Sequence, residues 1–456
     1  MVIPATLLVL GASMTGLLLA FGLLSLREGA PRAARISILA GALTAAFFSA
    51  AMLAPPSLQR ALLLGLLALG FLGVLLFAWP IGHVETGPDQ RSERFDERDV
   101  VFARARLVPG SPEHEAYYNM RPEKRAPDER LRAFAGLLSP QARLADPLIF
   151  PAAQASFDVT EALREAVDGP VSSSPVSSSP EGLTRLMKGL ALHLGAHSVG
   201  VCRLQPSHIY SHIGRGTGRY GAPVDLNHRF ALAFTVEMDF HIMGTAPQAP
   251  VVLESARRYV DAAVIAIQLA NLARRLGYPA RAHIDGNYRV IAPLVAREAG
   301  LGEIGRIGIL MTPDLGPRVR LGVVTTDLPL LPDQRMPAES IIDFCRVCAK
   351  CAESCPSRAI SMDDRKLDHG MLRWKLDEDR CFRYWNAIGT DCGICMAVCP
   401  YSHPANWAHN LMRAAVARSG AARRAAVWLD NWLYGREPLP RRGPVWLGDR
   451  HPEQAC

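Results

Sequence analysis

The sequence predicts an α+β protein built in successive parts: a helical membrane anchor, a mixed helix–strand domain and a small cysteine-rich domain. Three observations predict this. Three long uncharged apolar runs open the chain, helical and strand periodicities alternate over about 180–340, and eight of the ten cysteines fall between Cys345 and Cys399. With 456 residues there is room for two or three domains. The net charge is +7, but the arginines are scattered and form no basic stripe interleaved with aromatics. That pattern argues against a nucleic-acid partner and suits a membrane surface.

The apolar runs cover about 4–26, 36–53 and 61–81, and none contains a charged residue. Each has roughly the ~20 residues needed to cross a bilayer, which gives a three-helix anchor over 1–82. The first run has no basic residues before it, so a membrane span is expected there rather than a cleaved signal peptide. Orientation follows from the connections. The first holds Arg27, Arg32 and Arg35, the second only Arg60, and Arg91, Arg94 and Arg98 follow the third run. The positive-inside rule then puts the soluble part on the cytoplasmic side of a multi-pass protein of the cytoplasmic (inner) membrane. No ionisable residue lies inside a run, so no ion pathway is expected.

Residues 83–179 are polar, Arg-rich and Pro-punctuated, with an aromatic island "EAYYNMRPEKR" and the duplicated "VSSSPVSSSP". Ser and Pro at that density form a linker or exposed loop rather than a packed element. The domain at 180–340 follows. "EGLTRLMKGLALHLG" and "ESARRYVDAAVIAIQLANLARRLG" carry helical spacing and stop at Gly195 and Gly277, while "SVGVCRL", "FALAFTVEM" and "LGVVTTDLPL" read as buried strands. Cys202 is expected to be a buried small hydrophobe and Cys456 to be incidental. "GRGTGRYG" at 214–221 neither follows a strand nor opens a helix, and reads as a loop. No GxGxxG follows a strand, so a Rossmann dinucleotide site is not supported, and there is no haem attachment motif.

The cysteines at 341–404 carry the chemistry. The spacing is Cys345-x2-Cys348-x2-Cys351-x3-Cys355-Pro356, then Cys381-x10-Cys392-x2-Cys395-x3-Cys399-Pro400. In two-cluster ferredoxins the Cys before Pro ligates the other cluster. Cys345, Cys348, Cys351 and Cys399 would then hold one [4Fe–4S] cluster, and Cys355, Cys381, Cys392 and Cys395 the second. Structural zinc needs neither the third cysteine nor the proline in both halves. Such clusters carry single electrons, so the 180–340 domain must hold the group that receives them. Residues 405–456 form a basic, Trp-containing tail.

The stretch "AREAGLGEIGRIGILMTPDLGPRVRLGVVTTDLPL", followed by the two-cluster motif, resembles the corrinoid-dependent reductive dehalogenases. "GAHSVGVCRLQPSHIYS", "EAYYNMRPEKR" and the tail "ANWAHNLMRAAVARSG…WLDNWLYG" extend the likeness. It implies a nitroreductase-like corrinoid-binding core plus a two-[4Fe–4S] ferredoxin-like domain, a base-off cobalamin and a small organohalide substrate. It also implies a quinol- or ferredoxin-linked electron donor. No DxHxxG motif for a histidine cobalt ligand occurs in the chain. Residue by residue, it implies Tyr259 as proton donor, Asn287 as an active-site asparagine beside the substrate, and Arg320 as the arginine hydrogen-bonded to that tyrosine. The family-like loop implies corrinoid contacts at Gly302, Gly305, Met311 and Thr312.

The residue types suit the task. Breaking carbon–halogen bonds reductively leaves a carbon that needs one proton. A phenol with an ordinary pKa near 10 keeps its proton at neutral pH, and a guanidinium stabilises the phenolate left behind. Exported members of the family carry a twin-arginine signal, whereas this chain has spans of its own and no Arg-Arg near its start. Two other readings compete: an epoxyqueuosine-reductase-like corrinoid enzyme, and a non-catalytic iron–sulfur subunit of a membrane complex. The second leaves the 180–340 domain without a task.

Overall fold

The computed structural model describes residues 2–79, 86–89, 93–336 and 339–447; Arg91, Cys456 and the end of the tail lie outside them. Helices α1 (Val2–Arg27), α2 (Pro31–Met52) and α3 (Pro56–Ala78) are each long and apolar enough to cross a membrane. They overrun the apolar stretches because proline can occupy the first turn, and it does so in α2 and α3. Gln59 satisfies the frayed end of α2, its Nε2 donating to the carbonyls of Met52 and Ala54 at 3.1 Å. Where α1 meets α2, Gly11 faces Phe48 and Gly22 faces Ile38, the small-residue contact that lets apolar helices approach.

The catalytic-domain candidate is built on a four-stranded antiparallel sheet, β1 (Ser198–Arg203), β2 (Phe230–Glu237), β3 (Ala280–His283) and β6 (Val319–Thr326), in the order β1-β2-β6-β3. A short hairpin, β4 (Glu303–Ile304) and β5 (Leu310–Met311), lies outside it. Strand periodicity sorts β2 onto two cores. Phe230, Leu232, Phe234 and Val236 pack with Ala262, Ile265, Ala266 and Leu269 of the long helix Pro250–Arg275, while Ala231 and Ala233 pack with Val295 and Ala296 of the helix Ala292–Glu298. Phe234 stands opposite Gly322 on β6, and a methyl at Gly322 would fall inside the ring.

The Arg-rich segment before this domain is ordered. Its helices Pro112–Met120, Pro122–Arg132 and Ile149–Ala162 cover the core. The fully buried Arg104 donates to Asp128 at 2.7 Å and pairs with Asp379 at the start of the helix Glu378–Ile388. Tyr118 Oη donates to the other Asp128 oxygen at 2.8 Å. The Ser/Pro stretch at 171–180 runs exposed along the end of the long helix, its Val176 amide donating to the Leu276 carbonyl. After the cysteine domain, the tail helices Trp407–Arg418 and Gly420–Tyr434 pack back onto α2 and α3.

Candidate functional site

One cavity of about 310 Å³ lies between the sheet domain and the cysteine domain. The long helix supplies Val251, Ser255 and Tyr259, spaced four residues apart and therefore on one stripe. Arg320, near the start of β6, comes in beside them on the face it shares with Gly322 and Val324. Asp391 and the cysteines Cys355, Cys381, Cys392 and Cys395 form the opposite wall. Phe102, Phe382 and Trp385 pack edge-on and tilted along the side, Phe102 and Phe382 at 4.8 Å between centroids. Gly393 follows Cys392 with φ +64°, and any Cβ there would meet Val251 Cγ1 at 2.8 Å. A glycine thus lets the cysteine loop approach the long helix.

Arg320 organises the polar corner. Its Nη2 donates to Ser255 Oγ at 2.6 Å and reaches Asp391 Oδ2 at 3.4 Å. Its guanidinium carbon lies 5.0 Å from the centre of the Tyr259 ring, over the face. The hydrogen bond to the phenol oxygen expected from the sequence is replaced by this stacked contact, because Ser255 and Asp391 already hold the guanidinium edge. Burial pushes the Tyr259 phenol up to about 12, with Arg320 partly opposing. Burial also raises the Asp391 carboxyl against the pull of Arg320. Desolvation works against the Arg320 charge, yet Tyr259 and Asp391 hold its pKa above the ordinary value.

Asn287 is not brought to this cavity. It is fully buried, its Oδ1 accepting from Arg281 Nη2 at 2.8 Å and its Nδ2 donating to the Arg164 carbonyl at 2.9 Å and to Thr217 Oγ1 at 3.1 Å. Gly216 of the glycine-rich loop lies against it with no room for a side chain. Burial, with the nearby Asp285 carboxylate, raises the phenol of the adjacent Tyr288 well above the ordinary value. Gly302, Gly305, Met311 and Thr312 do not line the cavity either. They belong to the β4–β5 hairpin and its flanks, where Glu303 pairs with Met311 and Thr312 Oγ1 donates to the Gly316 carbonyl at 3.2 Å. Met311 faces the other cysteine group instead.

That second group surrounds a smaller void lined by Cys345, Cys348, Cys351 and Cys399, walled by Arg306, Met311, Phe344 and Pro400. Cys399 feels Cys345, Cys348 and Cys351, while Cys395 feels Cys392, Cys381 and Cys355 most strongly. The spacing therefore folds into two sets of four thiols, with Cys395 touching both voids. Burial pushes Cys348, Cys381 and Cys392 up to about 12. Four such thiols become thiolates only around a cationic centre, which is the donor set an iron–sulfur cluster requires. Cys202 is a buried thiol near the Val295 carbonyl, with no part in either set.

Ser255 and Asp391 were not singled out by the sequence reading. Asp391 directly precedes a cluster cysteine and Ser255 lies one helical turn before Tyr259, the two signals that point to them.

Residues 344–403 match the 4Fe-4S dicluster domain family. The chain is 30% identical over 270 residues to the tetrachloroethene reductive dehalogenase of Sulfurospirillum multivorans, covering 52% of this chain and 53% of that protein. It is similar to the solved structure of a catabolic reductive dehalogenase, with TM-score 0.62 and 26% identity, covering 78% of this chain and 49% of that one. A second structure, described as suggesting a mechanism for B12-dependent dehalogenation, aligns at TM-score 0.59 and 25% identity over 82% of this chain and 54% of its own. The chain thus spans about half the length of these relatives.

Proposed function

We propose that this chain, a homologue of the reductive dehalogenases, cleaves a carbon–halogen bond of a small organohalide at a corrinoid supplied with electrons by two [4Fe–4S] clusters. The observation that carries the reading is one cavity lined both by the Tyr259–Arg320 corner, with Asp391 reaching across to Arg320, and by four cluster cysteines. The residues fit both groups. The thiols form two tetrads, and the cavity joins apolar aromatic walls to a proton-bearing phenol. A corrinoid held there would supply the low-potential metal for carbon–halogen cleavage.

The chain's own residues do the rest. Tyr259, its phenol raised to about 12, keeps a proton across the physiological range and gives it from Oη to the carbon that loses halide. The resulting phenolate spreads its charge into the ring over which Arg320 stands. Ser255 and Asp391 are positioning residues that hold Arg320 in that place. Phe102, Phe382 and Trp385 keep water from the reacting carbon. Asn287 fixes the 214–221 loop through Thr217.

The three apolar helices anchor this unit in the cytoplasmic membrane. The first connection, with Glu28 and Arg32, packs against the tail helices, which supports the soluble part lying on the same side as those arginines, the cytoplasmic one. The test is halide release. Anaerobically purified protein loaded with corrinoid and driven by titanium(III) citrate is expected to release halide from a panel of halogenated aromatics and alkenes, and no release from any of them contradicts the proposal.

A further inference from the structure

A second cavity lies far from the Tyr259 corner, where the tail helices meet the membrane helices. It has about 120 Å³ and is walled by Phe21 of α1, Phe344, Tyr401, His403, His409 and Asp430, among others. Its volume approaches the ~150 Å³ of an engineered apolar cavity that accepts one benzene ring. Three features give it a chemistry.

The first is a pair of imidazoles on carboxylates. His403 and His409 stack at 4.5 Å and 10°. His403 Nε2 lies 3.0 Å from Asp430 Oδ1, whose other oxygen pairs with Lys350 at 2.5 Å, and His409 Nε2 lies 3.2 Å from Glu28 Oε2. Glu28 is 5% exposed and directly follows α1. The carboxylate on Nε2 fixes the proton there, which leaves Nδ1 of His403 as an acceptor. That Nδ1 is buried and has no hydrogen-bond partner among the described residues. Burial lowers the His403 pKa to about 4, so the ring is neutral and its Nδ1 lone pair can accept a hydrogen bond.

The second feature is the neighbouring cysteine set. Phe344 and Pro400 line both this cavity and the void of Cys345, Cys348, Cys351 and Cys399. The Phe344 and Tyr401 rings meet edge-on at 4.9 Å.

The third is the membrane. Phe21 lies within an apolar helix, 6.4 Å from the His409 ring. Ser419 Oγ donates to the Leu76 carbonyl at 2.7 Å and ties the tail to the end of α3. Trp407, Trp428 and Trp432 are exposed on the tail helices, the last two stacked at 5.8 Å, as in the aromatic belts of membrane–water interfaces.

We propose that this cavity binds the ring of a membrane quinol and is the place where electrons enter the chain. The inference rests on the dehalogenase reading above and names its electron donor. The balance closes. Each quinol becomes quinone by breaking two O–H bonds, its two electrons pass singly to the cluster held by Cys345, Cys348, Cys351 and Cys399, and its two protons leave to water by way of the hydrogen bonds of His403 Nδ1 and the His409–Glu28 pair. Replacing halide by hydrogen consumes two electrons and one proton and releases halide.

The test runs the site backwards in the detergent-solubilised full chain with its cofactors. Clusters reduced with stoichiometric titanium(III) citrate are mixed with menadione, and their reoxidation is followed by absorbance and electron paramagnetic resonance. The rate is expected to saturate with menadione. His403→Phe, which keeps a ring in the stack, and Ala408→Leu, which narrows the cavity without touching the imidazoles, should each slow it on the order of tenfold to a hundredfold. Titanium-driven halide release should stay at the wild-type rate in both. A rate linear in menadione, or unchanged in both variants, overturns the proposal. So does stoichiometric zinc in the purified protein, removable by Glu28→Gln, because Glu28, His403 and His409 place their ligand atoms within 4.8 Å of one another. Saturable reoxidation in a protein that releases no halide would uphold the quinol site while the dehalogenase reading fails.

Discussion

Removing Tyr259 and Arg320 singly and together tests whether the two act as one unit. Tyr259→Phe keeps the ring, its place under the guanidinium and its tilted contact with Phe157 at 6.4 Å, so folding and cofactor content should survive. Loss of a general acid costs ~10²–10⁴ in rate. Arg320→Gln removes the charge over the ring. A unit charge 5.0 Å from the phenolate ring, at the effective dielectric constant of ~20 suited to a mostly buried pair, is worth up to about 3 kcal/mol, or roughly two powers of ten in rate. Arg320 acts on catalysis only through the phenolate, so its loss should cost little once the hydroxyl is gone. The double variant should therefore be no slower than Tyr259→Phe within about threefold, a coupling close to the whole Arg320 effect. The assay is titanium-driven halide release at equal corrinoid loading. Multiplying penalties, or a Tyr259→Phe rate within a few-fold of wild type, would refute the arrangement. Because the Tyr259 phenol sits near 12, wild-type activity should show no alkaline loss from this group below about pH 11. Arg320→Gln removes the positive charge that lowers that pKa and moves the loss higher still.

Other expectations follow from other parts of the molecule. Gly322→Ala forces a methyl into the Phe234 ring and should cost ~1–3 kcal/mol of stability by overpacking, read as a lower melting temperature, with Phe234→Leu restoring much of it. Cys345→Ala and Cys399→Ala should give the same altered cluster spectrum in electron paramagnetic resonance, distinct from a second spectrum shared by Cys355→Ala and Cys381→Ala; any other grouping means the crossover is wrong. A C-terminal reporter active only in the cytoplasm should work on this chain, and one active only outside should fail.

Much of this architecture was legible because its signals are periodic or spaced. The apolar runs, the 3.6-residue repeat of the long helix, the continuous apolar run of β2 and the cysteine intervals each became the element they implied. What escaped the sequence is polar and buried. Strand β3, Ala280–His283, carries Arg281 and His283 and has no long apolar run to announce it. In the fold Arg281 donates to Asn287 and His283 Nε2 meets Thr325 Oγ1 at 2.9 Å. Arg104 looks like surface charge until Asp128 and Asp379 close around it. Asn287 was placed in the site on resemblance alone. The loop at 214–221 claims its amide, and no local pattern announces a contact 70 residues distant in sequence.

The metal content of anaerobically purified protein tests the central claim most directly. Two thiol tetrads beside one corrinoid cavity predict about eight iron atoms and one cobalt per chain. Zinc in place of iron, or eight iron atoms with no cobalt after reconstitution with cobalamin, would contradict it.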